Sequence, residues 1–157
     1  MATGTPATTA LTRVRVAFEV HPYDHDPAAA SYGLEAAAAL SVPPGQVFKT
    51  LLVDNGTGLA VAVVPVDRQL DLKAVAVALG WKRATMADPA AAERSTGYVV
   101  GGISPVGQKR RLPTVVDRSA TGFQRIYVSG GRRGLDLSLA PADLVRVTDA
   151  RVADIAR

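Results

Sequence analysis

The sequence contains no cysteine and only two histidines, His21 and His25, among 157 residues. The lack of cysteine excludes disulfides, thiolate nucleophiles and Cys-ligated metal sites. Two histidines with neither an HExxH nor an HxH spacing leave too few ligands for a typical metal centre. We therefore expect no metal and no cofactor, and any covalent chemistry has to use another residue type.

Long apolar runs are missing as well. No segment approaches the roughly 20 residues of a membrane span, and the first ten residues lack the charged-then-apolar order of a signal peptide. We therefore expect a cytoplasmic protein without a membrane partner. Residues 1–10 are mainly Thr, Ala, Gly and Pro and offer little to bury, so we predict a flexible tail there and one domain over residues 11–157.

Positive charge exceeds negative charge, with 18 Lys and Arg against 14 Asp and Glu. The basic residues cluster at residues 82–83, 109–111 and 132–133. Such clusters can contact the phosphates of a nucleic acid, although short ones are usually solvated surface.

Hydrophobic periodicity predicts an α+β domain. Apolar runs over residues 46–53 and 59–66, joined by a turn that contains Asn-Gly, predict a β-hairpin. Further strands are predicted at residues 112–117, 125–129 and 135–139, and helices at residues 10–18, 28–40, 71–79, 89–97 and 141–147. This order favours a mixed, largely antiparallel sheet that curls toward a barrel, with helices around it.

One charged residue interrupts the first strand of the hairpin, Val47–Val53 (VFKTLLV). Period-two alternation puts Lys49 on the same face as Val47, Leu51 and Val53, which are suited to burial. A lysine there must reach solvent or meet an anion. Patterning alone favours the simpler interpretation, a lysine that keeps an edge strand from aggregating.

Two glycine-rich segments follow apolar strands, Gly101–Gly107 (GGISPVG) and Ser129–Gly134 (SGGRRG). Paired glycines let a ligand or another backbone approach closely, and free amides there could bind a carbonyl oxygen or a phosphate. Taken singly, each segment is more typical of a turn. The histidines lie beside Asp24 and Asp26, which indicates a loop more strongly than acid–base catalysis.

Six segments together resemble the YbaK family of bacterial aminoacyl-tRNA deacylases. They occur in the family's order and span most of the chain: Tyr23–Pro27, Val47–Val53, Met86–Pro89, Arg94–Tyr98, Gly101–Pro105 and Tyr127–Gly131. The resemblance implies the fold of the editing domain of bacterial prolyl-tRNA synthetases. It also implies hydrolysis of cysteine wrongly attached to tRNA(Pro), with Cys-tRNA(Cys) as a further substrate.

The resemblance carries over a set of site residues and partners. It implies Lys49 as the catalytic residue, and as substrate-binding residues Tyr23, Tyr32, Thr50, Gly101, Gly102, Ser129 and Asp136. Tyr32 departs from the family, which often has phenylalanine there. The implied partners are the 3′ terminus of an aminoacylated tRNA and a complex with prolyl-tRNA synthetase.

The family's chemistry explains why the sequence shows no catalytic triad. A cysteinyl substrate brings its own thiol to the ester carbonyl, so the enzyme has mainly to orient the thiol and stabilise the oxyanion. On that view Lys49 anchors the nucleotide end or the developing charge. Two alternatives stay open: a deacylase for another small amino acid (Ala, Ser or Thr), and a noncatalytic module that binds RNA or a nucleotide.

Overall fold

The computed structural model describes residues 4–157, which form five α-helices and eight β-strands. The helices are α1 (Pro6–Arg13), α2 (Tyr32–Leu40), α3 (Leu72–Leu79), α4 (Pro89–Thr96) and α5 (Pro141–Thr148). The strands are β1 (Phe18–Pro22), β2 (Phe48–Asp54), β3 (Leu59–Pro65), β4 (Thr85–Met86), β5 (Thr114–Asp117), β6 (Ile126–Arg132), β7 (Leu135–Leu139) and β8 (Arg151–Ala153).

The strands form two sheets. The larger has the order β4-β2-β3-β5-β8, with antiparallel pairing around β2 and parallel pairing of β3 with β5 and of β5 with β8. The smaller is antiparallel in the order β1-β7-β6. A single bridge between Val47 and Tyr127 joins them. The predicted α+β domain is confirmed; within residues 4–157 the strands stay in two open sheets and do not close into a barrel.

The β2–β3 hairpin forms as predicted. Its loop is held by the Asn55 side-chain oxygen, which accepts hydrogen bonds from the amides of Thr57 and Gly58. Gly56 adopts a φ of 96°, a conformation that L side chains rarely adopt. The loop chemistry thereby fixes a register in which Lys49 pairs with Val64.

Two main clusters of buried side chains hold the sheets and helices together. One lies between the sheets and includes the inward faces of β6 and β7, with Ile126, Val128 and Leu137 wholly buried. The other packs α3 against β2, β3 and β5. Burial of each Val, Leu or Ile contributes about 1.5–3 kcal/mol, so both faces of β2 and β3 are fixed by packing.

The prediction of a flexible tail over residues 1–10 is wrong for residues 6–10, which form the first part of helix α1. Helix α1 begins at Pro6, and the Thr5 and Thr8 side chains form a reciprocal capping box at its start. Ala7 is fully buried, and the Thr5 hydroxyl donates to the Gly130 carbonyl at 2.5 Å. Residues 1–3 lie outside the described residues. A short Thr-rich segment thus becomes ordered because its cap and one small face have partners.

The predicted helix over residues 10–18 is also wrong in its second half. The chain leaves the helix after Arg13, passes through Arg15 with a φ of 60°, and enters strand β1 at Phe18. Leu11 packs as predicted, but Phe18 pairs with Leu139 of β7. Strand pairing therefore outweighs the helical spacing of the apolar residues.

The remaining helices follow their predicted signals. Asp71 and Asp88 accept hydrogen bonds from the first turns of α3 and α4, and Gly80 and Gly97 end these helices in the left-handed region. Helix α2 starts later than predicted, because Ser31 supplies its cap. No helix among residues 4–157 has the length and apolar character needed to cross a membrane.

Candidate active site

A cavity of 390 Å³ opens where the two sheets diverge from their bridge at Val47. Its walls come from β2, from β6 and β7, from the start of α2, and from the turn around Gly101. Seven of the eight site residues implied by the family resemblance line it: Tyr23, Tyr32, Lys49, Thr50, Gly101, Ser129 and Asp136. Segments far apart in sequence thus meet around one space.

Gly102 is the exception. It is buried behind the cavity wall, and a Cβ added to it would lie 2.8 Å from the backbone of Arg132. Its amide donates to the Val99 carbonyl at 2.9 Å. The structure therefore gives Gly102 a packing role beneath the turn, while Gly101 lies on the wall.

Lys49 lies in the stretch of β2 that faces the cavity. Strand β4 pairs with β2 only at Val53 and Asp54. At Lys49, therefore, β4 does not cover the edge of β2 that faces away from β3. Lys49 is half-buried, and desolvation lowers the pKa of its ammonium, while Asp67 acts in the opposite direction. No ion pair within residues 4–157 engages it. Lys49 is thus a desolvated cation available to an anion.

The Thr50 hydroxyl is completely enclosed and, among the described residues, has no hydrogen-bond partner. A buried polar group without a partner costs about 1–3 kcal/mol. Thr50 itself is one of the residues that line the cavity, so this unpaired polar group lies within the cavity wall.

Asp136 is the buried carboxylate of the cavity, with 5% of its surface exposed. It lies on β7 directly opposite Ser129 of β6. Desolvation raises the pKa of Asp136 to about 7. Desolvation, and then the charge of Asp136, raise the pKa of Tyr23 to about 12. At neutral pH the cavity therefore holds a neutral phenol beside a carboxyl group that is close to its midpoint of ionisation.

The outer wall of the cavity is built around Tyr32 at the start of α2. The guanidinium carbon of Arg133 lies 4.8 Å from the centre of the Tyr32 ring, and the His25 ring lies 5.7 Å from it. His25 Nδ1 in turn lies 2.8 Å from Glu35 Oε1. The sequence favours a structural role for His25 in a loop over acid–base catalysis. These contacts agree with that interpretation, because the imidazole packs against Tyr32 in the cavity wall.

Sequence patterns missed two contributors, Arg133 and Asp67. The sequence places Arg133 in a basic pair that could meet phosphates, within a segment typical of a turn, but not in the cavity wall. Asp67 follows the predicted end of β3 with no motif of its own. Only the fold brings Asp67 near Lys49 and Arg133 over Tyr32. The signal that could have found Arg133 is its place between two glycine turns, two residues after Gly131 and directly before Gly134.

The cavity can orient a substrate and stabilise charge, but it contains no pre-assembled triad. The Ser129 hydroxyl accepts from the Gly131 amide at 3.2 Å, and His21 Nε2 lies 2.8 Å from the Ser138 hydroxyl. Among residues 4–157 no three His, Asp or Glu side chains come together as a metal site would require. The arrangement suits a reaction that needs positioning and electrostatics.

The basic clusters predicted to meet phosphates lie on the surface. Lys82, Arg83, Arg110 and Arg111 are exposed and form no ion pair with another described residue. Contact of these side chains with a nucleic acid stays a prediction.

Comparisons with known proteins find matches over most of the chain. The family model of the aminoacyl-tRNA editing domain matches residues 26–147. The chain is 41% identical over 120 residues to an Enterococcus faecalis protein, "Putative Cys-tRNA(Pro)/Cys-tRNA(Cys) deacylase EbsC", covering 76% of this chain and 73% of that one. It is 30% identical over 118 residues to the Escherichia coli "Multifunctional Ser/Thr-tRNA deacylase ProXp-y", covering 72% and 71%.

A solved structure extends the likeness to the whole fold. The "Crystal structure of a putative trans-editing enzyme for prolyl tRNA synthetase" matches with a TM-score of 0.85 and 28% identity, over 97% of this chain and 95% of that one. The family model covers most of the chain, including six of the seven residues that line the cavity and were implied by the resemblance. The chain therefore belongs to the aminoacyl-tRNA editing domain family of deacylases, as its six motifs predicted.

Proposed function

We propose that this protein hydrolyses Cys-tRNA(Pro) in trans, with Cys-tRNA(Cys) as a second substrate. The observation that carries the proposal is the cavity itself, which gathers a desolvated lysine, an unpartnered hydroxyl and a buried carboxyl group without a catalytic triad. The 41% identity to a protein named for both cysteinyl substrates supports the choice of amino acid.

The reaction follows from the chemistry of the substrate. The cysteine sulfur attacks the ester carbonyl carbon, and the tetrahedral intermediate collapses with cleavage of the bond to the terminal ribose oxygen. The thiol proton ends on that oxygen, so the products are free tRNA and a cyclic thiolactone, which water then opens to cysteine. The protein has only to hold the thiol near the carbonyl and to stabilise the developing negative charge.

Each polar group of the cavity has a task in this proposal. The ammonium of Lys49 faces the developing oxyanion or the terminal nucleotide, because desolvation strengthens its attraction to an anion. The carboxyl of Asp136, when ionised, pairs with the α-ammonium of the amino acid. The hydroxyl of Thr50 gains the partner that it lacks in the free protein.

One observation favours a second substrate class. The same unpartnered Thr50 hydroxyl could bond to the hydroxyl of a seryl or threonyl group, and the 30% identical E. coli relative is named for those two amino acids. In that case the substrate lacks a thiol, and water has to attack the ester.

Two further elements complete the proposal. The reaction takes place in the cytoplasm, where charged tRNA is made, and the protein works in a complex with prolyl-tRNA synthetase, as the name of the matching crystal structure suggests for that relative. Four exposed basic residues of the predicted clusters, Lys82, Arg83, Arg110 and Arg111, supply candidate contacts to the tRNA phosphates.

A panel of charged tRNAs tests the proposal. The purified protein is incubated with Cys-tRNA(Pro), Cys-tRNA(Cys), Ser-tRNA, Thr-tRNA and Ala-tRNA, and loss of the amino acid is followed. We expect rapid loss of cysteine, and slow loss of serine from the matched Ser-tRNA(Pro), in which a hydroxyl replaces the thiol. Faster loss of serine than of cysteine would contradict thiol participation. Binding of tRNA without any loss would identify a noncatalytic module.

A further inference from the structure

We propose that Arg133 is a positioning residue that fixes the Val100–Gly101 turn against Tyr32 and so sets the geometry of the cavity mouth. The inference rests on the proposed function, because the mouth matters only if an aminoacyl end enters there. Arg133 lies in the turn between β6 and β7, outside the residues that line the cavity.

The guanidinium of Arg133 makes two kinds of contact at once. Its Nε and one terminal nitrogen both donate to the Val100 carbonyl oxygen, at 3.0 Å and 2.6 Å. The same planar group lies over the Tyr32 ring, with 4.8 Å from Cζ to the ring centre. A planar group with several fixed donors can hold a carbonyl and stack on a ring simultaneously, whereas a lysine ammonium cannot match this geometry.

The turn is held from its other side by a carboxylate. The Val100 amide donates to Glu93 Oε2 at 2.8 Å, while its carbonyl accepts from Arg133. Both polar groups of Val100 are thus engaged by side chains from different elements. Removal of Arg133 leaves the Val100 amide held by Glu93 but frees the Val100 carbonyl, so the turn loses one of its anchors.

Gly101 lies in close contact with both Arg133 and Tyr32. Its φ is 89°, and a Cβ at this position would lie 2.8 Å from Arg133 Nε and 2.9 Å from the Tyr32 ring. The Gly101 backbone therefore packs against the stacked Arg133 and Tyr32 so closely that no side chain fits there. A shift of the guanidinium would move both the ring and the turn.

The wall matters for catalysis because the turn carries backbone groups at the cavity mouth. Gly101 lines the cavity directly, and Gly102 beneath it packs on the Arg132 backbone. A displacement of about 1 Å in a positioning element can lower a rate by about 100-fold. Arg133 is exposed, so its removal should alter this local geometry without unfolding the domain.

Three variants test the inference: Arg133→Ala, Arg133→Lys and the control Lys73→Ala. Lys73 on α3 is also exposed, has no ion pair among the described residues and lies outside the basic clusters. Each is assayed on Cys-tRNA(Pro) and on a cysteinyl ester of adenosine, which has no phosphate. We expect Arg133→Ala to lower kcat about 10- to 100-fold on both substrates, with only partial rescue by lysine and no change in Lys73→Ala.

The small substrate separates positioning from phosphate binding. If Arg133 instead contacts a tRNA phosphate, the defect will be confined to KM for tRNA, will weaken the salt dependence, and will vanish on the adenosine ester. That result, or a kcat within twofold of the unsubstituted protein, would overturn the inference. A defect that follows a loss of folded protein would overturn it too, so the thermal midpoint is measured in parallel.

Amide hydrogen exchange keeps the inference testable without turnover. The Gly102 amide, bonded to the Val99 carbonyl, should exchange at least about tenfold faster in Arg133→Ala than in Lys73→Ala, because the turn has lost one anchor. Equal exchange rates would contradict the positioning role. If the unsubstituted protein hydrolyses no charged tRNA, the proposed function fails while this measurement still decides the role of Arg133.

Discussion

Two buried aspartates, Asp117 and Asp136, have nearly equal exposure, 3% and 5%, and opposite surroundings. Asp117 at the end of β5 accepts hydrogen bonds from the Ile155 and Ala156 amides at 2.9 Å and 3.0 Å, and from the Ser119 amide and hydroxyl. Asp136 receives none of the hydrogen bonds found among residues 4–157 and lies on the cavity wall.

The surroundings determine the charge of each carboxyl group. Desolvation acts to raise the pKa of Asp117, but the hydrogen bonds from Ser119, Ile155 and Ala156 outweigh it and hold that pKa below its ordinary value. Desolvation raises the pKa of Asp136 to about 7 with nothing to oppose it. Asp117 therefore holds the C-terminal segment in place through its hydrogen bonds. Asp136 has no hydrogen-bond donor among the described residues and is available to bind a ligand.

The largest effect on stability is expected from Asp117→Ala. The substitution leaves three backbone amides and a hydroxyl without their acceptor, which should lower the free energy of unfolding by about 3 kcal/mol. Urea denaturation measures this loss. The folded fraction should keep its deacylase activity. A large loss of activity per folded molecule would contradict the purely structural role assigned to Asp117.

Asparagine at either position should give opposite pH dependences. Because the folded-state pKa of Asp117 is lowered, its stabilisation is present above the unfolded pKa of 3.8 and is lost as pH falls through the folded pKa. Asp117→Asn should therefore destabilise most near pH 7 and least near pH 3.

For Asp136 the sign is reversed. Its folded-state pKa is raised, so stability declines as pH rises from 3.8 to about 7. The stability of Asp136→Asn relative to the unsubstituted protein should therefore rise by about 4 kcal/mol between pH 4 and pH 8. Unfolding curves at pH 4, 6 and 8 measure both variants, and parallel profiles would contradict the comparison.

A smaller effect is expected from Thr50→Val, which removes the unpartnered hydroxyl while nearly conserving volume. Stability should rise by about 1 kcal/mol, because a buried polar group without a partner disappears. Deacylation should fall, because the group that would bond to the substrate is gone. Thermal unfolding and steady-state kinetics measure the two changes, and a loss of stability would show that the hydroxyl already has a partner.

Local sequence signals predicted those parts of the fold that depend on nearby residues. The Asn-Gly loop of the hairpin and the Asp71 and Asp88 caps need only neighbouring residues, and they formed as predicted. The start of strand β1 was predicted as helix, and only residues from Val20 onward as extended, because the pairing partner β7 lies more than a hundred residues away. The two-residue β4 has no detectable periodicity.

The sequence could predict which residues line the cavity, but not their environment. The family motifs named Lys49 and six other residues that the fold does bring together, but no pattern could show that Thr50 lacks a partner or that Asp136 lacks a donor. Missing hydrogen-bond partners and desolvation depend on how the two sheets pack together, which local sequence patterns do not encode. Arg133 was missed for the same reason, since its contacts with Val100 and Tyr32 cross three elements.

The most direct test of the account is hydrolysis of Cys-tRNA(Pro) by Lys49→Ala beside the unsubstituted protein, with folding checked by circular dichroism. We predict that the variant keeps its fold, because Lys49 forms no ion pair with the described residues, and that hydrolysis falls to the background rate. A folded Lys49→Ala variant with intact activity would contradict the central claim that this cavity performs the deacylation.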